Sequence, residues 1–258
     1  MSFYNYWGVT GNNLSTVTTY RRLAMAFDWK DDTQVKEFIN NLGIEYRFGC
    51  YKEKKPEVCH LLGDYLESIK KDYHKAAKVY RSNCDDYNFG RSCYKFGTYT
   101  LLGRGGQAVD PEVAYKYYTK GCELGVSESC GNAGLMCVGN RLSVRNVKDY
   151  HKGLELLDKG CKGNDHLCCY YIGSLYITGI KEANIQKDMN KARSYSEKGC
   201  ELGNIHACVN VSQMYQRGDG VTKDEEKGEM YKKRALELQD ELVKQQQTLT
   251  FQQGTKPV

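Results

Sequence analysis

Proline is almost missing, with three in 258 residues, so little in the chain breaks long helices by removing a backbone donor. No run of about 18 apolar residues occurs, which excludes a membrane-spanning helix on length. The N-terminus lacks the continuous apolar stretch of a secretory signal peptide. Basic stripes are missing too: the net charge is +5, with Lys and Arg interleaved among Asp and Glu, which excludes the usual footprint of a nucleic-acid binder. No C-x-x-C, C-x-x-C-H or H-E-x-x-H element is present, so no thioredoxin-type, covalent haem or zinc-protease site is written in the chain.

Cysteine, by contrast, is plentiful, with 12 residues, and ten of them fall into spaced pairs. These are Cys50 with Cys59, Cys84 with Cys93, Cys122 with Cys130, Cys161 with Cys169, and Cys200 with Cys208. The pairs return with a period typical of stacked helical hairpins. Four residues after the second cysteine stand Gly63, Gly97, Gly134, Gly173 and then Ser212, small side chains that let one helix approach another. An aspartate precedes each next stretch in the same phase, at Asp72, Asp110, Asp149, Asp188 and Asp224, followed by Ala76, Ala114, Gly153, Ala192 or Gly228.

An aspartate before a helical pattern is an N-cap, because its carboxylate accepts backbone N–H groups that the first turn leaves unpaired. Pro111 adds a residue suited to the first helical position. Each unit therefore reads as a helix A starting near the second cysteine, a loop, and an aspartate-capped helix B ending near the next first cysteine. Gly125 in KGCELG marks a helix C-terminus. Tyr117, Tyr118, Tyr195 and Tyr215 fall in this pattern and are expected in the core with their hydroxyls reaching water.

Helix B ends and the next helix A begins inside one cysteine pair, so a disulfide there staples neighbouring units. Closing a loop of about nine residues contributes roughly 2.5 kcal/mol in the chain-entropy model. Zinc is disfavoured, since structural zinc ligands stand closer in sequence than these pairs. Disulfides without a secretory signal point to an oxidising compartment such as the mitochondrial intermembrane space.

The domain reading is an N-terminal extension over 1–25, disordered or targeting, a single solenoid over 26–247 and a disordered tail over 248–258. Arg21, Arg22 and the lack of an acid before Asp28 fit the composition of a mitochondrial presequence. The last helix, from Asp224 to about Gln247, has Leu236 where a cysteine would continue the series, and its charge suits a terminal cap.

The GTY and GSLY segments, the glycine-containing loops and the KGCELG ends resemble Sel1-like repeats, and the boundary cysteines resemble the cysteine-rich, Hcp-type branch. The segment from FDWKDDTQVKEF to YRSNC, and HACVNVSQMYQRGDGVTKDEEKGEMYKKRA, are similar to the cytochrome c oxidase assembly factor 7 family of animal mitochondria. That resemblance implies an all-α fold, a right-handed α/α superhelix of TPR-like hairpins. It also implies an intermembrane-space location, entry through the oxidative import machinery and protein partners in complex IV assembly. A monomer acting as a scaffold or chaperone follows, with no enzymatic activity, no membrane span and no nucleic acid.

Residues that could carry chemistry are few. Cys137 and Cys168 lie outside the beat and are candidate free thiols, the basis of an alternative reading as a thiol–disulfide or haem- and metal-handling redox protein that assists copper-site assembly. For Cys137 a buried structural thiol is the better reading. Hcp-type relatives have been called β-lactamases, and Ser68 and Lys71 form an S-x-x-K element, but no S-D-N or K-T-G element accompanies it. His60, His74, His151, His166 and His206 form no metal motif, so no catalytic, cofactor-binding or metal residue is assigned. A noncovalent haem held by distant residues leaves no local motif and stays unassigned.

Overall fold

In a computed structural model of the protein, residues 31–139 and 148–252 are described, with 247–252 given by backbone alone. The extension over 1–25 and the end of the tail, 253–258, lie outside the described residues. The chain divides into two compact units, Met1–Lys55 and Pro56–Val258.

In the first unit, α1 spans Asp32–Tyr51. Asp31 caps it by accepting the N–H of Thr33 at 2.8 Å and of Gln34 at 3.3 Å. Gly43, Tyr46, Gly49 and Cys50 form its buried side.

Among the described residues the second unit holds ten α-helices paired as hairpins: α2 (Pro56–Ser68) with α3 (Tyr73–Tyr87), α4 (Gly90–Leu102) with α5 (Pro111–Glu123), and α6 (Ser127–Val138) with α7 (Tyr150–Lys162). There follow α8 (His166–Thr178) with α9 (Met189–Glu201), and α10 (Ile205–Arg217) with α11 (Glu225–Gln252). The fold is all-α, an α/α solenoid of five hairpins. Asp72, Asp110, Asp149, Asp188 and Asp224 open the five B helices in one geometry, each accepting the N–H three residues on at 3.0 Å. That repetition explains why the hairpins start in register, since a cap fixes the first turn. The last helix continues to Gln252, beyond the Gln247 end read from the sequence pattern. Its packing residues Gly228 and Ala235 are buried near its start, while 239–246 are exposed.

Small residues set the crossing within each hairpin. A Cβ on Gly97 would meet the Tyr118 ring at 3.0 Å, and one on Gly134 would meet Leu157 at 2.8 Å and the Gly153 carbonyl at 3.0 Å. The fifth unit solves the same problem in reverse: Ser212 donates its hydroxyl to the Gly228 carbonyl at 2.7 Å, possible because α11 has a glycine at the crossing.

The core is a series of clusters, each gathered around a unit boundary. One joins Ala114, Tyr118 and Cys122 of α5 to Cys130, Ala133 and Met136 of α6 and Leu156 of α7. The next joins Leu157 and Cys161 to Cys169 and Ile172, and another joins Cys200 to Cys208 and Ala235. Every unit therefore leans on its neighbours, as expected of a quasi-one-dimensional stack. In the middle of the stack successive A helices also meet, α6 with α8 and α8 with α10, more than successive B helices do. The A helices form the inner row there.

Candidate functional site

Four disulfides sit at the unit boundaries: Cys84–Cys93, Cys122–Cys130, Cys161–Cys169 and Cys200–Cys208, with Cα separations of 4.8, 4.5, 4.7 and 4.6 Å. Cys50 and Cys59 are also disulfide-bonded. In each of the four, the first sulfur lies near the end of a B helix and the second in the first turn of the next A helix. All eight cysteines are no more than 3% exposed, so the staples belong to the core rather than to a reactive surface.

The two free thiols are buried as well. Cys168 stands just before the staple residue Cys169, at the position of Ser92, Ser129 and Ala207 in other units, and all four are fully or almost fully buried. A Cβ added to Gly131 would come within 2.8 Å of its sulfur, so the thiol fills space reserved for a small side chain. Burial first, and then the neighbouring Asp165 carboxylate, push the Cys168 thiol far above its ordinary value. Cys137 is 8% exposed and its thiol donates to the Tyr115 hydroxyl at 3.6 Å. Burial raises the Cys137 thiol too, and it is the main reason that Tyr115 is pushed up to about 12. A reactive cysteine needs the opposite, exposure and a stabilised thiolate.

Ser68 ends α2 and Lys71 sits in the following turn with φ 53°, both exposed. Ser68 is therefore the last residue of a helix. No hydrogen bond joins the two among the described residues, so nothing primes the hydroxyl as a nucleophile.

The five histidines are spread over the stack. His60 contacts the Ser92 hydroxyl at 3.0 Å and lies 3.7 Å from Asp64, with its imidazolium disfavoured chiefly by burial. His74 meets the Gly105 carbonyl at 3.1 Å, His166 meets Asn204 at 3.1 Å, and His206 packs on Tyr170. His151 is exposed. Among the described residues no three His, Cys, Asp or Glu side chains gather as a metal would require.

One cluster was not visible in the sequence. Tyr80 of α3 donates to Asp64 at 2.5 Å and to Glu67 at 3.0 Å, both on α2. Lys95 of α4 binds Glu67 at 2.9 Å and approaches Asp64 at 3.5 Å, and Arg104 reaches Glu67 at 3.3 Å. Burial, with the two carboxylates beside it, drives the Tyr80 hydroxyl strongly upward. The ion pair with Glu67 and Asp64 outweighs burial at Lys95 and raises it. These bonds tie α2 to α3 and α4, so the cluster orients the first two hairpins. Its members come from helices whose spacing reveals their phase but not which carboxylate faces which cation.

The other tyrosines find protein partners for their hydroxyls, and Tyr195 and Tyr215 are half-buried rather than in the core as expected. Tyr117 donates to Asp85 at 3.0 Å, Tyr195 to Asp158 at 2.8 Å and Tyr215 to Glu197 at 3.1 Å, while Tyr118 and Thr98 share a hydrogen bond of 3.0 Å. Packing brings an acceptor within reach of each ring, and the part-buried hydroxyl takes it.

Positions two, five and eight after the second staple cysteine are half-buried on nearly every A helix. They change character along the stack, from Asp64, Glu67 and Lys95 through Leu135 and Val138 to Tyr171, Asn210 and Gln216.

The Sel1 repeat pattern matches residues 56–81, 90–126, 128–165, 166–204 and 205–240, one match for each hairpin. The chain belongs to the Sel1 repeat family. It is 47% identical to "Cytochrome c oxidase assembly factor 7 homolog" of Drosophila melanogaster, over 89% of this chain and 98% of that relative. It is 39% identical to "Cytochrome c oxidase assembly factor 7" of Mus musculus and 38% to that of Homo sapiens, over 89% of the chain and 100% of each relative. Among solved structures, this Sel1 repeat protein is similar in fold to one from Oxalobacter formigenes, with a TM-score of 0.64 at 23% identity over 78% of this chain and 83% of that one. It is also similar to the uropathogenic Escherichia coli antigen c5321, with a TM-score of 0.52 at 17% identity, over 76% of this chain and 52% of that one.

Proposed function

We propose that this Sel1 repeat protein is an assembly factor for cytochrome c oxidase in the mitochondrial intermembrane space, acting as a protein-binding scaffold. The observation that carries the reading is the 47% identity to a relative of that name across 98% of its length. Buried disulfides at successive unit boundaries support an oxidising compartment, and they make the oxidative import route the natural source of the staples. Among the described residues no helix is long and apolar enough to cross a membrane. Both free thiols are buried, which favours a scaffold that binds through its inner row over a thiol–disulfide exchanger.

Deletion of the protein in cells, followed by native electrophoresis of the respiratory complexes, tests the role. The expected result is a loss of complex IV that is restored both by the wild-type chain and by a Cys137→Ser/Cys168→Ser variant. Undiminished complex IV overturns the assembly role; rescue by wild type alone, with the variant folded and present at wild-type level, overturns the scaffold mechanism. Proximity labelling from the same chain identifies the partners.

A further inference from the structure

A cleft of about 300 Å³ opens between the last two hairpins, lined by Arg193 of α9, Tyr215 of α10, the loop Gly220, Val221, Thr222 and Lys223, and Asp224 and Lys227 at the start of α11. Its lining carries three cations against one carboxylate. That carboxylate is committed, because Asp224 caps α11 by accepting the Lys227 N–H at 3.0 Å. The Nε of Arg193 is buried without a hydrogen-bond partner, while its Nη1 is held by Glu197 at 2.9 Å. The Nε nitrogen has no accessible surface, so Arg193 brings to the wall of the cleft its charge and the exposed third of its side chain.

The loop adds donors of its own. Among the described residues no acceptor takes the amides of Gly220, Val221, Thr222 or Lys223. Gly220 has φ 72°, and a Cβ there would collide with Met189 at the start of α9. Glycine thus lets the backbone lie against α9 and line the cleft. Successive free amides beside a helix N-terminus make an anion-binding concavity.

Each cation has a carboxylate neighbour that a ligand must share or displace. Lys227 is 3.6 Å from Asp224, and Lys223 is 2.7 Å from Glu225. The side chains of Lys223 and Glu225 are 59% and 77% exposed, so water screens that pair and a ligand can exchange with it. Glu197 accepts from Arg193 and Tyr215 and is not part of the lining. Guanidinium, two ammonium groups, the Thr222 hydroxyl and the loop amides outnumber what the two oxygens of a carboxylate can accept. A phosphate monoester supplies three terminal oxygens and close to two charges.

We infer that the cleft between the fourth and fifth hairpins is a binding site for a phosphomonoester, carried by a phosphorylated protein segment or by a small phosphorylated metabolite.

Calorimetric titration of the oxidised full-length protein with a phosphoserine peptide, glycerol phosphate, inorganic phosphate and acetate tests this. At least one monoester is expected to bind roughly tenfold or more tightly than acetate, with affinity falling as salt rises. Lys223→Ala/Lys227→Ala weakens it by about tenfold while leaving the thermal melt unchanged, and Glu225→Gln, which frees Lys223, tightens it. Preference for the peptide identifies a phosphorylated protein as the source, and preference for glycerol phosphate a metabolite. Equal affinity for acetate, binding of inorganic phosphate alone, or an affinity unmoved by the double lysine variant overturns the assignment.

Discussion

Side-chain size decides where the helices of this stack cross, and Cys168 is one of the small residues that do so. Its sulfur occupies the place held elsewhere by Ser92, Ser129 or Ala207, and burial keeps it protonated. Native protein treated with iodoacetamide is therefore expected to carry no label at Cys137 or Cys168, with both labelled once denaturant is added. Rapid native labelling, read by mass spectrometry, would show an open thiol and contradict the burial. At the hairpin crossing, Gly134→Ala places a methyl 3.0 Å from the Gly153 carbonyl, where the backbone has little room to yield. It is expected to destabilise the protein by about 1–3 kcal/mol in denaturant titrations. Gly134 was legible because it recurs at a fixed offset, whereas the place of Cys168 shows only when the units are superposed on Ser92, Ser129 and Ala207. The tyrosine acceptors were not legible, because Tyr117 and Tyr195 reach carboxylates more than thirty residues away in sequence.

Helices were the most legible level, since caps and periodicity are local signals. Five aspartates announced five B helices, and each caps with the same bond. Asp110→Ala should lower stability by about 1 kcal/mol while Asp110→Asn, which still accepts the Val113 N–H, leaves it almost unchanged. Acid reports the same bonds. Hydrogen bonds from Lys75 and Lys191 hold Asp72 and Asp188 below the ordinary carboxylate value. A depressed folded pKa means the contribution is complete above the unfolded value near 4 and disappears as pH falls through the folded one. Melting temperature in an acid series should decline below about pH 4, and less steeply in an Asp72→Asn/Asp188→Asn variant. An equal decline in both would mean that other carboxylates carry the acid response. The cluster of Tyr80, Glu67 and Lys95 escaped notice because it joins three helices, and no pattern along one helix encodes such a meeting.

Across the whole stack, stability passes from neighbour to neighbour, because each core cluster and each staple belongs to a boundary. Removing a staple should cost about 2.5 kcal/mol wherever it is, but the pattern of opening should depend on place. Cys200→Ser/Cys208→Ser is expected to speed amide exchange in α10 and α11 alone. Cys122→Ser/Cys130→Ser, in the middle, should divide thermal unfolding into two transitions. A single transition in the central variant, with exchange raised uniformly, would mean the stack is more cooperative than its contacts suggest.

The staples also govern how the stack answers force. Each ties the end of one hairpin to the start of the next at a single point, with Cα atoms 4.5–4.8 Å apart. Adjacent hairpins can thus tilt about a pivot but cannot part at that point. A partner that bends the array meets only the resistance of side-chain contacts, and one that pulls on its ends opens the hairpins, whose two helices no staple joins. The oxidised boundaries hold as joints while the hairpins between them yield, and reduction would let the joints part as well.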